Sequence, residues 1–286
     1  MDSIAKNVFI EDKFPGVTLG VISRARGLIQ IDAPPAPEDG RSWRAALMGM
    51  GEGHERVLVN LDSHPDRTLG VRAMDCTVIA HEKTALAFQN RPNTFKAQGD
   101  ETGANWEGIP GLGSVRWAPP EISFAQQLTL HWSDTPVILE SRPGPTSGAI
   151  WVILPDEKIV FVGDAVAKGQ PPFLAHADIP SWLESLELLQ GPEYKGYTVV
   201  SGRGGVVTPQ TVRSQADSLK RIHDKIEKQG KKLSSATVIG KLADQLLKDY
   251  KAPAARQKQY SHRLHYGLQN YYIRHYQPSS RNVVEE

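Results

Sequence analysis

The chain has 286 residues, 23% of them charged and 40% apolar, with a formal net charge of +1. Those shares belong to an ordinary globular protein, and the near-neutral balance argues against a nucleic acid or a membrane surface as a partner recognised through bulk charge. The single cysteine, Cys76, excludes an intrachain disulfide and a CxxC zinc site and reads as a small core residue; no apolar run approaches the roughly 18 residues of a membrane span. The first residues lack the apolar stretch of a secretory signal, so the sequence predicts a cytoplasmic protein.

In chain order, residues 17–23 and 27–32 read as strands either side of a hairpin-like turn. Residues 34–50 begin with prolines and continue as a helix, with Trp43, Ala46, Leu47 and Met50 at helical spacing. A strand follows at 56–61, then a turn at 62–67, a short helix, a strand at 76–80 and a helix at 81–90. Residues 91–120 are rich in Gly, Pro and Asn and have no period; Trp106 and Trp117 make them a packed loop flanking a pocket. A second batch of strands is expected at 127–132, 136–142, 148–155 and 158–164. After it come a helix at 180–190, a strand at 197–202, a loop at 203–207 and a long charged helix at 208–229. Two more helices, near 234–250 and 258–276, precede a frayed tail at 278–286. Two similar batches of strands with helices between and after them imply an α/β fold, a four-layer αββα sandwich. It occupies 1–230, with 231–286 as a helical extension packed on the same domain.

The chemistry concentrates where the strand at 56–61 ends. Asp62, His64 and Asp66 alternate in a tight turn, as metal ligands do, and Arg67 follows with a fixed positive charge. Phe161-Val162-Gly163-Asp164 ends a later strand, and Ser201-Gly202-Arg203-Gly204 ends another.

The order of elements, with these segments at strand ends, resembles the metallo-β-lactamase superfamily from about Gly16 to about Gln229. The family turn H-x-H-x-D-H falls on Asp62-x-His64-x-Asp66-Arg67. Its G-H-T-P-G-S segment falls on Gly144 to Ala149, its F-V-G-D strand end on Phe161 to Asp164, and its P-G-H-G loop on Ser201 to Gly204. The resemblance implies two metal ions, usually zinc, that generate a hydroxide. Of the first ion's three histidines only His64 remains, the others falling on Asp62 and Pro145. Of the second ion's ligands only Asp66 remains, the others falling on Arg67 and Arg203. The bridging aspartate is Asp164. Proline offers no donor atom and arginine stays protonated, so the second site is lost. Asp62, His64 and Asp164 remain as a three-ligand set for one divalent ion, zinc, iron or manganese. Three aspartates and two arginines leave one net negative charge, which one such ion would reverse. Equally, Arg67 and Arg203 can pair with Asp66 and Asp164 in a dry cluster that holds no metal.

Two readings follow. In the first, the chain is a hydrolase-like member with at most one metal, acting on a small molecule. Asp62, His64 and Asp164 hold the ion, Asp66 orients the attacking water, and Arg67 and Arg203 hold an oxyanion or a substrate anion. In the second it is non-catalytic and metal-free, and an arginine-lined pocket binds an anionic ligand or a protein partner. His81 reads as structural, and His176 as a candidate to face the pocket. The helix carrying His262, His265, His275, Tyr266, Tyr271, Tyr272 and Tyr276 reads as a packing surface or a homodimer surface. Ser201 to Gly205 lacks the lysine of a phosphate loop.

Overall fold

A computed structural model describes residues 1–51, 53–96 and 102–277; the tail expected to fray lies outside them. The first batch of strands forms one sheet: β1 (Asp2–Ala5), β2 (Val8–Glu11), β3 (Leu19–Arg24), β4 (Gly27–Ile31), β5 (Glu55–Val59), β6 (Thr77–His81) and β7 (Ile122–Phe124), in sequence order. The first four are antiparallel neighbours joined by short turns, and β4 to β7 run parallel. Parallel neighbours need crossovers. These are α1 (Pro37–Leu47) between β4 and β5, α2 (Pro65–Thr68) and α3 (Val71–Met74) before β6, and α4 (Glu82–Gln89) with the long loop before β7.

The second sheet runs β13-β12-β11-β10-β9-β8, from β8 (Gln127–Leu130), β9 (Val137–Ser141), β10 (Ile150–Leu154), β11 (Ile159–Ala167), β12 (Thr198–Arg203) and β13 (Gly205–Val207). Only β11 and β12 pair in parallel, and α5 (Ile179–Gln190) makes that crossover. Every residue of β4, β10 and β11 is buried, as strands covered on both faces must be. Helices α6 (Pro209–Gln229), α7 (Ala236–Leu247) and α8 (Ala254–Tyr276) complete the chain.

Three apolar layers result. Ile22, Ile31, Val59, Leu139, Val152 and Phe161 fill the space between the sheets. Trp43, Leu47 and Met74 pack on the outer face of the first sheet. Trp151, Trp182, Leu219, Leu264 and Tyr271 join α5 to α8 to the outer face of the second. Trp182 is wholly buried, and its indole N–H donates to the Ala165 carbonyl at 2.9 Å. Tyr271 and Tyr272 of the aromatic helix belong to this inner cluster, and no helix among the described residues is long and apolar enough to cross a membrane. The αββα sandwich is therefore present as expected.

The differences are local. Residues 203–207, expected as a loop, are the end of β12 and the strand β13, and the short helix begins inside the acidic turn, so Asp66 and Arg67 are helical. The 91–120 segment is packed where it is described: Trp106 and Trp117 are buried with Phe88, Phe95 and Leu112.

Candidate functional site

The site lies at strand ends. Asp32 follows β4 and turns the chain out of the sheet with φ of 59°, a left-handed conformation that aspartate tolerates better than most residues. Asp62 follows β5, and its Oδ1 accepts the His64 N–H at 2.8 Å. His64 caps α2, its Nδ1 accepting the Asp66 N–H at 3.2 Å, and Pro65 supplies the preset first helical φ. This cap aims Asp66 and Arg67 inward, and both are 0% exposed. In the second sheet the register between β11 and β12 slips on both sides of Gly163. Gly163 has φ of 56°, and such a bulge re-aims the side chain after it, here Asp164. Arg203 ends β12.

These side chains form one ion cage. Arg67 Nη1 donates to Asp32 Oδ2 at 2.7 Å, its Nη2 donates to Asp164 Oδ1, and its Nε lies 2.9 Å from Asp62 Oδ1, an ion-pair contact without hydrogen-bond alignment. Arg203 Nε and Nη2 fork onto Asp164 at 2.9 and 3.0 Å, its Nη1 donates to Asp66 Oδ2 at 2.7 Å, and its Nη2 reaches His64 Nδ1 at 3.2 Å. Asp66 also accepts the Trp106 N–H at 2.6 Å and the Asn105 N–H at 3.2 Å, which ties the long loop to the cage.

The electrostatics follow from these contacts. Burial pushes every carboxyl up. For Asp66 the Arg203 charge reverses this, and for Asp164 Arg203 and Arg67 together do, so both sit below the ordinary aspartate range. For Asp32 and Asp62 burial wins over Arg67; Asp32 rises to about 6, and Asp62 is raised as well. Burial and then Arg203 lower His64 to about 3. With two N–H donors directed at Nδ1, the proton of this neutral imidazole sits on Nε2.

A third arginine completes the closure. Arg263, on α8, is 1% exposed. It donates to the Gly103 carbonyl at 3.0 and 2.9 Å, to Gln170 Oε1 at 2.8 Å and to the Pro171 carbonyl at 3.1 Å. Its guanidinium lies 3.9 Å from the centroid of the Phe173 ring, that of Arg203 lies 4.4 Å from the same centroid, and His64 meets Phe173 edge-on at 4.4 Å. Burial and the Arg203 charge lower Arg263 to about 9.

All six expected site residues are thus brought together, in relations other than the expected ones. A catalytic zinc needs three donors with lone pairs aimed at one point. Here both oxygens of Asp164, Oδ1 of Asp62 and Nδ1 of His64 already face guanidinium or amide N–H groups, and among the described residues no group of three His, Cys, Asp or Glu side chains is arranged to hold a metal ion. A metal does not fit the expected set Asp62, His64 and Asp164. Nor is Asp66 placed to orient a water: its oxygens are spent on Arg203 and two amides. Arg67 and Arg203 are buried, with their charges turned inward onto the carboxylates.

Beside the cage lies a niche of about 20 Å³ whose polar lining is Ser63, Lys83, Thr84, Thr146, Ser147 and His176. His176 is one of the lining residues of this niche. Thr84 donates to the Gly148 carbonyl at 3.1 Å, and Thr146 Oγ1 is buried with no hydrogen-bond partner among the described residues. His81 is structural, as expected: it caps α4 through Nδ1 and contacts the Ala125 carbonyl through Nε2 at 2.8 Å. Asp32 and Arg263 escape sequence reasoning. Asp32 carries one readable signal, a carboxylate closing an apolar strand as Asp62 does; Arg263 carries none.

Comparison with known proteins agrees with the fold. A family model described as the metallo-beta-lactamase superfamily matches residues 68–197, which include Asp164 but neither the acidic turn nor Arg203. No curated protein matches the chain. The structure is similar to a metallo-beta-lactamase from Pontibacter korlensis, with 20% identity and a TM-score of 0.60 over 77% of this chain and 97% of that one. It is similar to one from Hirschia baltica, with 13% identity and a TM-score of 0.58 over 76% and 95%. The stereoselective inverting sec-alkylsulfatase Pisa1 from Pseudomonas sp. gives 12% identity and a TM-score of 0.62 over 96% of this chain and 49% of that one, so this chain spans about half of that protein. The two sheets, the outer helices and the family match across Asp164 give the chain the fold of the metallo-beta-lactamase superfamily.

Proposed function

We propose that the chain is a metal-independent member of the superfamily that works by binding an anionic ligand. The observation that carries this reading is the saturation of Asp62, His64 and Asp164 by N–H donors of Arg67, Arg203 and the backbone. Hydrolysis by the fold's usual route needs a hydroxide generator, and the groups that would build one are committed to the cage. His64, lowered to about 3, is too weak a base to replace it at neutral pH.

The niche supports an anionic ligand. Its polar lining offers an ammonium, four hydroxyls and an imidazole and includes no carboxylate. Thr146 Oγ1 there lacks a partner, and a buried hydroxyl without one is costly; a ligand oxygen would complete it. At about 20 Å³ the niche takes one oxygen-sized group, so a head group would engage there while the rest of the ligand lies outside. The chemistry is that of a carboxylate, sulfate ester or phosphate ester.

The test joins metal content with thermal denaturation. The purified chain, grown with zinc, iron and manganese, is expected to hold no stoichiometric metal. Inorganic phosphate or sulfate is expected to raise its Tm, and Lys83→Ala and Thr146→Val to lose that rise. A stoichiometric ion lost on Asp62→Ala or His64→Ala, together with metal-dependent ester or lactone hydrolysis, would restore the single-metal hydrolase reading instead.

A further inference from the structure

A cavity of about 470 Å³ opens at the end of the first sheet away from the cage. Asp32 and Asp62 come after β4 and β5, whereas this cavity is bounded by Arg24 at the β3–β4 turn and by Met50 and Gly51, which precede β5. Its volume is that of a small-molecule site. Its chemistry differs from that of the anion niche. The one charge among its described lining residues, on Arg24, is already spent: Nη2 lies 2.7 Å from Glu157 Oε1, and the side chain is 4% exposed. An anion would find no free cation there to offset its desolvation.

The remaining lining groups are neutral and uncommitted. Phe9 pairs with Val21 and packs on the outer apolar cluster, yet its ring meets no other aromatic ring among the described residues. The Met50 thioether lines the same cavity. Ser23 lies two residues beyond Val21 and so shares its face of the sheet. The Ser23 hydroxyl and the Asn7 carboxamide make no hydrogen bond among the described residues. The Asn7 backbone is pinned, with φ of 62° and its carbonyl accepting the Ser23 N–H at 2.8 Å. Gly51 keeps the hydroxyl accessible, because a Cβ there would lie 3.1 Å from Ser23 Oγ. A carboxamide offers a donor and an acceptor side by side, which match an adjacent acceptor and donor on a planar ring edge. A phenyl ring and a thioether offer such a ring an apolar surface to lie against.

We propose that this cavity is a second ligand site, for a neutral heteroaromatic ring of the nucleobase type, with its hydrogen-bonding edge on Asn7 and Ser23 and its apolar surface against Phe9 and Met50. The proposal does not depend on the anion reading of the niche.

The Met50 methyl group gives a local readout by NMR, since the chain has only 4 methionines and the signal is assigned by its absence from Met50→Leu. Adenosine or uridine is expected to move that signal saturably, with a Kd below about 1 mM. Asn7→Gly removes the carboxamide at a φ that glycine adopts freely, and is expected to weaken binding about fivefold. Phe9→Leu keeps an apolar side chain but no ring, and is expected to weaken it about tenfold. Indole, a ring without the paired donor and acceptor, is expected to bind about fivefold more weakly than the better nucleoside, and benzoate more weakly still. A Met50 signal unmoved by either nucleoside at about 5 mM overturns the proposal. So does nucleoside binding that Asn7→Gly leaves unchanged, or benzoate binding tighter than either nucleoside.

Discussion

Arg67 gives up all its hydration to lie among carboxylates from three separate segments, Asp32, Asp62 and Asp164. A planar fork with five donors on three nitrogens can reach three acceptors set well apart, whereas an ammonium presents its three donors from a single nitrogen. Arg67→Met is therefore expected to cost about 3–5 kcal/mol in urea unfolding and Arg67→Lys about half as much, whereas equal losses would make charge alone the determinant. Asp32 gives the cage a pH dependence of known sign. Its folded pKa, raised to about 6, lies above the unfolded value of 3.8, so its contribution is full at low pH and is lost as pH rises through 6. Wild type should lose about 2 kcal/mol relative to Asp32→Asn between pH 4.5 and 7.5. Asp66 and Asp164, shifted the other way, contribute above their unfolded pKa and lose that contribution in stronger acid. In the sequence, Asp62, His64, Asp66 and Arg67 were legible because they are consecutive, and Asp164 and Arg203 because each closes a strand. Which lone pair faces which N–H was not legible, since that depends on two sheets meeting.

At the scale of elements, two local devices set the geometry. The first is the bulge at Gly163. With φ of 56° and an added Cβ 3.3 Å from that of Leu61, Gly163→Ala should cost about 1–2 kcal/mol through backbone strain. The same bulge would shift Asp164, so the variant should also weaken the cage, seen as a smaller pH dependence than wild type. The second device is α8, which passes Arg263 over Phe173 and onto the Gly103 carbonyl. Arg263→Met keeps much of the apolar stem but leaves that carbonyl without its donor. A loss of about 2 kcal/mol is expected, with faster amide hydrogen exchange confined to 102–106; uniform acceleration across the chain would contradict this local role. The long central strands and the amphipathic helices were readable from period and caps. β1, β2, β7 and β13 were not: they are three or four residues long, too short to show a period, and form by pairing with a neighbour. Arg263 was hidden for a related reason, because only the docking of α8 makes it part of the site.

At the scale of the molecule, the two arginines act reciprocally. Arg67 reaches from the first sheet's side to Asp164 in the second, and Arg203 reaches from the second to Asp66 and His64 in the first. Excess chelator or added zinc should therefore leave Tm within about 1 °C, since a ligand that does not bind the native state cannot shift its stability; a chelator-induced fall would contradict a self-sufficient cage. The sandwich itself was legible, because strand batches and crossovers are written in hydrophobic pattern; its fastening was not, because like residues at strand ends could have held an ion or each other. The tethering of these cations to the backbone has a further consequence. Translation delivers them in fixed proportion to the chain. On the metal-independent function proposed above, the protein would need no supply or insertion step to mature, and its abundance in a zinc-starved cell would follow synthesis alone.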